Sequence, residues 1–231
     1  APDMLYRNEG DGRFSDVARA SNIFSAYGKG LGVVAADFDG DGDQDLYVAN
    51  DGMRNFFYQN EGDGTFSEVA LEVGMAYNGD GQAEAGMGIA VADYDADSDL
   101  DVLVTNFSRE SNTLYRNEGG AEFGDYSKAA GLEQISLEPL GFGAFFFDAE
   151  NDADLDLFVA NGHVLDRIAL QDGGLRYEQP NQLLGNDGGI FVDISATSGP
   201  AFQLAAVSRG AAFGDYDNDG MLDLYLSHLN G

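Results

Sequence analysis

The sequence contains no cysteine, and only 11 of its 231 residues are lysine or arginine, against 41 aspartates and glutamates. Without cysteine there are no disulfides, no thiolate metal ligands and no cysteine nucleophile. The formal net charge of -30 repels phosphate backbones and anionic lipid headgroups, so nucleic acid and polybasic membrane docking are excluded. No apolar run approaches the roughly 18 residues of a membrane-spanning helix.

The acidic residues are clustered, and the cluster repeats. Nineteen of the 41 lie in four nine-residue stretches, here called the acidic loops, which begin 56, 55 and 67 residues apart. These loops cover residues 37–45, 93–101, 148–156 and 215–223. The chain is 44% apolar and has 32 glycines but only 4 prolines, which indicates a buried core with many tight turns.

The segments around the acidic loops predict β-strands. A small, apolar run precedes each loop and a β-rich run follows it, as GLGVVAA and LYVAN do around the first. A second element, LYRNEGDGRFSDVA and its variants, is predicted to be a hairpin because its Asn and Gly residues tolerate positive φ. It occurs at residues 5–18, 57–70, 114–127 and 183–195.

One repeat therefore holds two hairpins, or four strands, in about 55 residues. Four-stranded units of this length are typical of an all-β fold, the β-propeller, in which blades pack only against neighbouring blades. We expect one propeller domain over residues 1–231, with four blades and helices only in connections. The longer last interval holds surface insertions at 163–180 and 198–208, and loops are where binding specificity usually lies.

The carboxylates occupy positions 1, 3, 5 and 9 of each acidic loop, where alternate residues can point at one centre. They are Asp37, Asp39, Asp41, Asp45; Asp93, Asp95, Asp97, Asp101; Asp148, Glu150, Asp152, Asp156; and Asp215, Asp217, Asp219, Asp223. The backbone carbonyl at position 7 would add a ligand from Asp43, Asp99, Asp154 and Met221. Calcium takes six to eight oxygen ligands of this kind, so we expect about four structural Ca²⁺ ions.

Other interpretations of the acidic loops are weaker. Magnesium demands stricter octahedral geometry, and zinc would have only His163 and His228 as nitrogen ligands. An EF-hand needs a glutamate at position 12, where this chain has apolar strand residues such as Val48. Plain solvated turns would leave four or five like charges in nine residues without a neutralising cation.

The sequence also resembles a known family. DFDGDGDQDLYVAN, alternating with LYRNEGDGTF-type hairpins, is similar to the FG-GAP or VCBS repeats of integrin α-subunit propellers and secreted bacterial proteins. GMGIAVADYDADSDLDVLVTNFS and RGAAFGDYDNDGMLDLYLSHLNG most resemble the cartilage acidic protein-like group, which carries ASPIC/UnbV segments. The resemblance implies an extracytoplasmic calcium-binding propeller. Because Glu150 replaces aspartate and Ala153 replaces glycine, we expect altered geometry or affinity in the third loop.

The chain begins at one hairpin and finishes at another, so we expect its two termini to share one blade. The ring could close at four blades. Alternatively, the chain is an arc of a larger propeller or of an assembly, and the resemblance implies a larger ring that continues past His228 into a further hairpin. An open arc would expose sheet edges and apolar faces.

Nothing in the sequence indicates catalysis, because neither histidine has a recognisable partner motif. We expect a non-enzymatic, secreted calcium-binding propeller, extracellular, periplasmic or on the cell surface, that acts as a scaffold, adhesion or binding module. A self-assembling surface or filament subunit is an alternative, and a lectin-like or polysaccharide-acting propeller is a lesser one. The protein or glycan ligand is not identified, and Asn106-Phe107-Ser108 fits an N-glycosylation acceptor.

Overall fold

A computed structural model describes residues 2–25 and 27–229, and strands dominate it. The helices are short: α1 is Leu132–Ile135, α2 is Ile168–Gln171, and one 3₁₀ turn covers Pro200–Gln203. In the part of the chain that is described, no helix is long and apolar enough to cross a membrane. The prediction of an all-β class, with helices only in connections, is confirmed.

Within residues 2–25 and 27–229, the strands form three four-stranded antiparallel sheets, which are the blades, and three two-stranded ribbons. The N-terminal hairpin consists of β1 (Tyr6–Asn8) and β2 (Phe14–Asp16). The first blade consists of β3 (Gly30–Ala36), β4 (Asp45–Asn50), β5 (Phe56–Asn60) and β6 (Phe66–Glu68). The second blade consists of β7 (Ile89–Ala92), β8 (Asp101–Val104), β9 (Thr113–Asn117) and β10 (Phe123–Asp125).

The third blade carries the inserted residues. It consists of β11 (Gly141–Phe147), β12 (Asp156–Asn161), β14 (Gln182–Asp187) and β15 (Ile190–Asp193). The two insertions are joined by a small ribbon of β13 (Gln179–Pro180) and β16 (Ala205–Ala206). The C-terminal hairpin is β17 (Ser208–Gly214) paired with β18 (Asp223–His228).

Every acidic loop connects two paired strands, and every predicted hairpin is observed. The first loop joins β3 to β4, and the strand pairs β7–β8, β11–β12 and β17–β18 enclose the other three. The turns of the second repeated element are here called NEG-type, after the Asn-Glu-Gly of residues 8–10. They lie within β1–β2, β5–β6, β9–β10 and β14–β15. The repeat of apolar run, loop, strand and hairpin therefore translates directly into the four strands of one blade.

The core lies between the blades. Phe38, at position 2 of the first loop, lies 5.6 Å from Phe57 of its own blade and 6.0 Å from Phe123 of the second, measured between ring centroids. One repeat later, Tyr94 lies 5.7 Å from Phe191 of the third blade. Each blade thus buries its aromatic side chains against the next, as expected for a chain of stacked repeats.

The two terminal hairpins form separate sheets and are not hydrogen-bonded to each other. The N-terminal hairpin carries the exposed side chains of Tyr6 and Phe14, and the C-terminal hairpin carries those of Tyr216 and Tyr225. The described residues therefore show no closed ring, and an arc of blades, the other expected architecture, is compatible with them. That the termini share one blade stays a prediction.

In each of the three four-stranded blades, a glycine in or next to the strand before the acidic loop allows the neighbouring sheet to approach closely. A Cβ on Gly88 would lie 1.9 Å from the carbonyl oxygen of Phe142 in the third blade. The equivalent Gly32 of the first blade faces the carbonyl of Met87 in the same way, at 2.8 Å. The Gly-x-Gly runs before the loops are therefore a packing requirement of the blade interfaces.

Replacing Gly88 by alanine should destabilise the protein by about 3 kcal/mol or more, because its methyl group would collide with backbone rather than with a movable side chain. Gly173→Ala is the matched control, since nothing lies within 4 Å of a Cβ at that position. Urea unfolding of both variants measures the difference. Equal stability of the two variants would contradict the close approach.

Candidate metal centres

Each acidic loop has the same backbone shape, set by two residues with positive φ. They stand at positions 4 and 6, and are Gly40 and Gly42, Ala96 and Ser98, Asn151 and Ala153, and Asn218 and Gly220. Alanine and serine adopt this conformation only at a cost of roughly 1 kcal/mol or more each. The loops keep it in all four repeats, so their other contacts determine the conformation.

Carboxylates hold this shape by accepting backbone hydrogen bonds. The aspartate at position 1 accepts from the N–H at position 6, for example from Gly42 to Asp37 Oδ2 at 3.0 Å and from Ser98 to Asp93 Oδ2 at 2.9 Å. The aspartate at position 5 accepts from the N–H at position 7, as Asp41 does from Asp43 at 2.8 Å. The loop therefore curls around its own acidic side chains.

The aspartate at position 9 connects the loop to the rest of its blade. In the second blade, Tyr94 N–H donates to Asp101 Oδ2 at 3.1 Å, and Asn117 N–H of the hairpin donates to Asp101 Oδ1 at 2.9 Å. Asp45 and Asp156 accept the same two bonds in their blades. These three carboxylates are buried, so position 9 has a structural role that the sequence pattern did not reveal.

A second unpredicted feature is an inter-blade latch, formed by the asparagine of the NEG-type hairpin. Asn117 Nδ2 of the second blade donates to the carbonyl of Phe38 in the first loop at 2.9 Å. Asn186 Nδ2 of the third blade donates to the carbonyl of Tyr94 in the second loop at 2.9 Å. Asn60 of the first blade donates instead to Gln44 O in its own loop, at 3.0 Å.

Three of the loops bring three aspartate side chains together. In each group the candidate ligand oxygens lie within 4.8 Å of one another. The groups are Asp37, Asp39 and Asp41; Asp93, Asp95 and Asp101; and Asp215, Asp217 and Asp223. Oxygens at such spacing can bind one cation in common, and hard oxygen donors suit calcium.

The second loop shows the electrostatic cost of this crowding. Burial, reinforced by the nearby carboxylates of Asp95 and Asp97, raises the pKa of Asp101 to about 7, although two backbone N–H bonds oppose the shift. Arg116 of β9 contacts this loop: its Nε lies 2.9 Å from Asp95 Oδ2, and its Nη2 lies 3.3 Å from Asp97 Oδ2. One positive charge thus already balances part of the second loop.

The third loop differs from the other three. No group of three metal-ligating side chains is found there among the described residues. A hydrogen bond with Asp156, followed by burial and the other loop carboxylates, raises the pKa of Glu150 to about 7. Glu150 therefore interacts with the buried position 9 carboxylate of Asp156. An altered affinity of the third loop for a cation remains a prediction.

Not every predicted ligand joins a cluster. Asp45 and Asp97 lie outside the clusters of their own loops, as does Asp219 in the fourth. The Asp43 side chain lies against the β5–β6 turn of its own blade. Its Oδ2 is 2.9 Å from the place that a Cβ on Gly62 would occupy. That orientation is compatible with a ligand role for the backbone carbonyl of position 7, which stays a prediction for Asp43, Asp99, Asp154 and Met221.

Two residues noted in the sequence are buried for structural reasons. His163 Nδ1 accepts from Leu165 N–H at 3.0 Å, and burial lowers the pKa of its ring. The side-chain nitrogen of Asn106 donates to Ser111 O at 2.8 Å and to Glu84 Oε2 at 3.0 Å. A glycan on Asn106 would break these bonds, so the acceptor pattern there does not mark an accessible site.

The profile of the FG-GAP-like repeat matches residues 2–48, 37–104 and 93–159, which together cover more than half of the chain. The chain therefore belongs to the FG-GAP-like repeat family, as the resemblance of its loops and hairpins indicated. Each match includes at least one acidic loop together with flanking strand residues, so the family assignment rests on the first three loops, and the fourth lies outside the matched residues.

Among curated proteins, the chain is similar to cartilage acidic protein 1. It is 26% identical to the Homo sapiens protein over 215 residues, which is 92% of this chain and 30% of that protein. Identity to the Xenopus tropicalis protein is 35% over 74 residues, 31% of this chain and 11% of that protein. The chain thus spans less than a third of the length of these relatives.

A solved structure of a lectin from Agrocybe aegerita, described as recognising non-reducing terminal N-acetylglucosamine, is also similar. The TM-score is 0.36 at 20% identity, over 82% of this chain and 58% of that one. A superposition this loose supports no inference about the ligand of this chain.

Removing the inter-blade latch should cost more than removing its single-blade counterpart. Asn117→Ala leaves the carbonyl of Phe38 without this donor, a loss of about 1–3 kcal/mol, and Asn186→Ala should behave alike. Asn60→Ala is the control, because Asn60 and Asn117 both accept from the glycine two residues on but only Asn117 reaches the neighbouring blade. Urea unfolding decides, and equal losses in all three variants would rule out the latch.

Proposed function

We propose that this chain is a non-enzymatic binding or scaffold module whose blades are clamped by calcium. The observation that carries the proposal is the group of three aspartate carboxylates, with oxygens within 4.8 Å of one another, that recurs in three loops. The loops share one backbone shape and stand at equivalent places in their blades. Membership of the FG-GAP-like repeat family supports the same conclusion.

The donor set of these loops fits calcium. Positions 1, 3, 5 and 9 offer carboxylate oxygens and position 7 offers a carbonyl, which are the hard ligands that calcium takes in flexible geometry. Bound calcium would supply the positive charge that the crowded carboxylates lack. The chain's own residues hold the ligands in place, because backbone N–H groups fix the position 1 and position 5 carboxylates before any cation binds. The third loop is expected to bind most weakly.

The setting that suits such sites is outside the cytoplasm. Sites of moderate affinity need calcium concentrations found in extracellular fluid, since extracellular modules bind calcium at roughly 10⁻⁴–10⁻³ M. The name of the human and frog relatives refers to cartilage, an extracellular matrix tissue. We therefore place the protein in a secreted or cell-surface setting, with a protein or glycan as its ligand.

The way the acids are used supports a non-enzymatic role. Loop carboxylates that accept backbone hydrogen bonds and share a cation are not free to move protons in a reaction. The two histidines do not form a catalytic pair either: His163 is buried, and His228 Nδ1 lies 3.1 Å from Ser208 Oγ across the C-terminal hairpin. A binding role accounts for these residues without leaving a reactive group unexplained.

Calcium should raise the melting temperature strongly. At a hundredfold excess over Kd, each site adds about 2.7 kcal/mol to stability, which corresponds to a shift of roughly 5–10 °C for a chain of this size. Scanning calorimetry in calcium and in EDTA measures the shift. An unchanged melt in EDTA would end the proposal.

The loop origin of that shift can be tested with Asp39→Asn. This variant should bind one calcium fewer in a calorimetric titration and melt lower than the native chain in calcium, but not in EDTA, where losing a crowded charge costs little. Asp51→Asn is the control, because it removes an equal charge from an exposed turn outside the acidic loops.

A second candidate function, self-assembly through the ends of the arc, is favoured by the exposed terminal faces. Tyr225 of β18 is 76% exposed, whereas Tyr47 at the same position of the first blade is 0% exposed. Tyr216 is 80% exposed, whereas the equivalent Tyr94 is 5% exposed. At the other end Val33 is 69% exposed, although its equivalent Ile89 packs between the first two blades.

These two faces are the two halves of the interface that the chain forms between its own blades. The C-terminal hairpin presents the face that packs on a following blade, and the first blade presents the face that packs on a preceding one. A second copy of the chain carries the partner of each face. Its N-terminal hairpin corresponds to the third and fourth strands of a blade, whereas β17–β18 corresponds to the first and second. Contacts between copies would then be head-to-tail.

The assembly should be visible in sedimentation velocity as species larger than a monomer that grow with concentration. Tyr225→Asp should shift them to monomer, because it places a charge in the interface. Leu170→Asp, at another exposed apolar residue on α2, adds the same charge away from both faces and should change nothing. A native chain that stays monomeric up to its solubility limit would exclude this function.

A further inference from the structure

A cavity of about 720 Å³ lies beside the third blade, and none of its lining residues belongs to an acidic loop. One wall comes from the connection before β11, at Gln134–Pro139, and a second from the first insertion, at Gly174–Asn181. Phe202 and Gln203 of the second insertion close the third side. Its volume falls in the range of about 300–1,000 Å³ that is typical of small-molecule sites.

The two insertions are built into the fold around this cavity. Strands β13 and β16 pair Gln179 with Ala206 and Pro180 with Ala205, which joins one insertion to the other. On the outer side, Phe202 packs on Phe158 of β12, with 6.1 Å between the ring centroids. The residues that lengthen the last repeat interval thus make a shaped concavity rather than free loops.

Two buried amides present fixed donors in the cavity. Gln179 Oε1 accepts from Leu140 N–H at 2.9 Å, and Asn181 Oδ1 accepts from Asn161 N–H at 2.9 Å. Because a backbone N–H must meet the amide oxygen, each bond fixes the orientation of the amide group. Both residues are buried and line the cavity, and their side-chain nitrogens have no protein acceptor among the described residues.

The other lining groups define the ligand further. The lining carries three carboxylates, those of Glu138, Glu178 and Asp193, and one guanidinium, that of Arg176, so the cavity disfavours an anion. Its apolar surface includes Phe202 and Leu175. A ligand must therefore accept hydrogen bonds from the amides, donate to carboxylates and present an apolar face.

We propose that this cavity binds a neutral saccharide. A sugar hydroxyl both donates and accepts, so neighbouring hydroxyls can meet the fixed amide nitrogens and the carboxylates at once. The C–H face of a pyranose ring then packs on the apolar side formed by Phe202. A peptide bears few such paired groups on one face, and an acidic sugar meets repulsion from the three carboxylates. The site lies apart from the acidic loops and does not depend on the ion proposed for them.

The test uses the native chain in calcium buffer with cellotriose, maltotriose and xylotriose as probes. Saturation-transfer NMR should show at least one of the three binding, and titration calorimetry then gives its affinity. Gln179→Glu and Asn181→Asp should each weaken that binding at least tenfold. Both variants keep the acceptor oxygen for the backbone N–H and the side-chain shape, but replace the NH₂ donor by an acceptor.

Gln171→Glu is the matched control, with the same chemical change at an exposed residue of α2 outside the cavity, and it should bind like the native chain. Circular dichroism and melting temperature separate misfolding from loss of the donor. The proposal is overturned if none of the three sugars binds, if tetraglycine binds in their place, or if both cavity variants bind as tightly as the control. Sulfated trisaccharides should not bind, and tight binding of these anions would also overturn it.

Discussion

The hydrogen bonds between backbone N–H groups and loop carboxylates are the interaction on which the rest of the structure depends. They turn each acidic loop into a fixed curl, with two left-handed residues, and bring three side chains together in three of the loops. The same bonds use the position 9 aspartate to anchor the loop to the hairpin of its blade. Loop conformation and blade assembly are therefore one problem in this fold.

The charge that makes these bonds possible also opposes them. Carboxylates accept more strongly than neutral oxygens, but several of them in one loop repel each other. The second loop relieves part of this repulsion with Arg116, whereas in the third the neighbouring carboxyl of Asp156 raises the pKa of Glu150. The first and fourth loops have no comparable arginine contact among the described residues, so the proposed cation would have most repulsion to offset there.

Much of the fold follows from repeats in the sequence, because the apolar run, the acidic loop and the NEG-type hairpin each have a local physical meaning. These local patterns do not predict which residues contact another blade. The sequence pattern predicts only a turn role for the hairpin asparagine, whereas Asn117 and Asn186 also reach the neighbouring loop. Glu150 resembles a conservative replacement until its reach to Asp156 is seen. The pairing of the insertions through β13 and β16 depends on residues 25 and 27 positions apart, with no pattern to connect them.

The latch gives the arc a direction. The carbonyl of Phe38 is bonded by the second blade and that of Tyr94 by the third, so the first and second loops each receive a partner from the blade that follows them in the chain. In a chain synthesised from its N-terminus, these two loops are therefore completed only after the next blade has been synthesised. Folding on the ribosome would proceed with a lag of one repeat, about 55 residues, behind elongation.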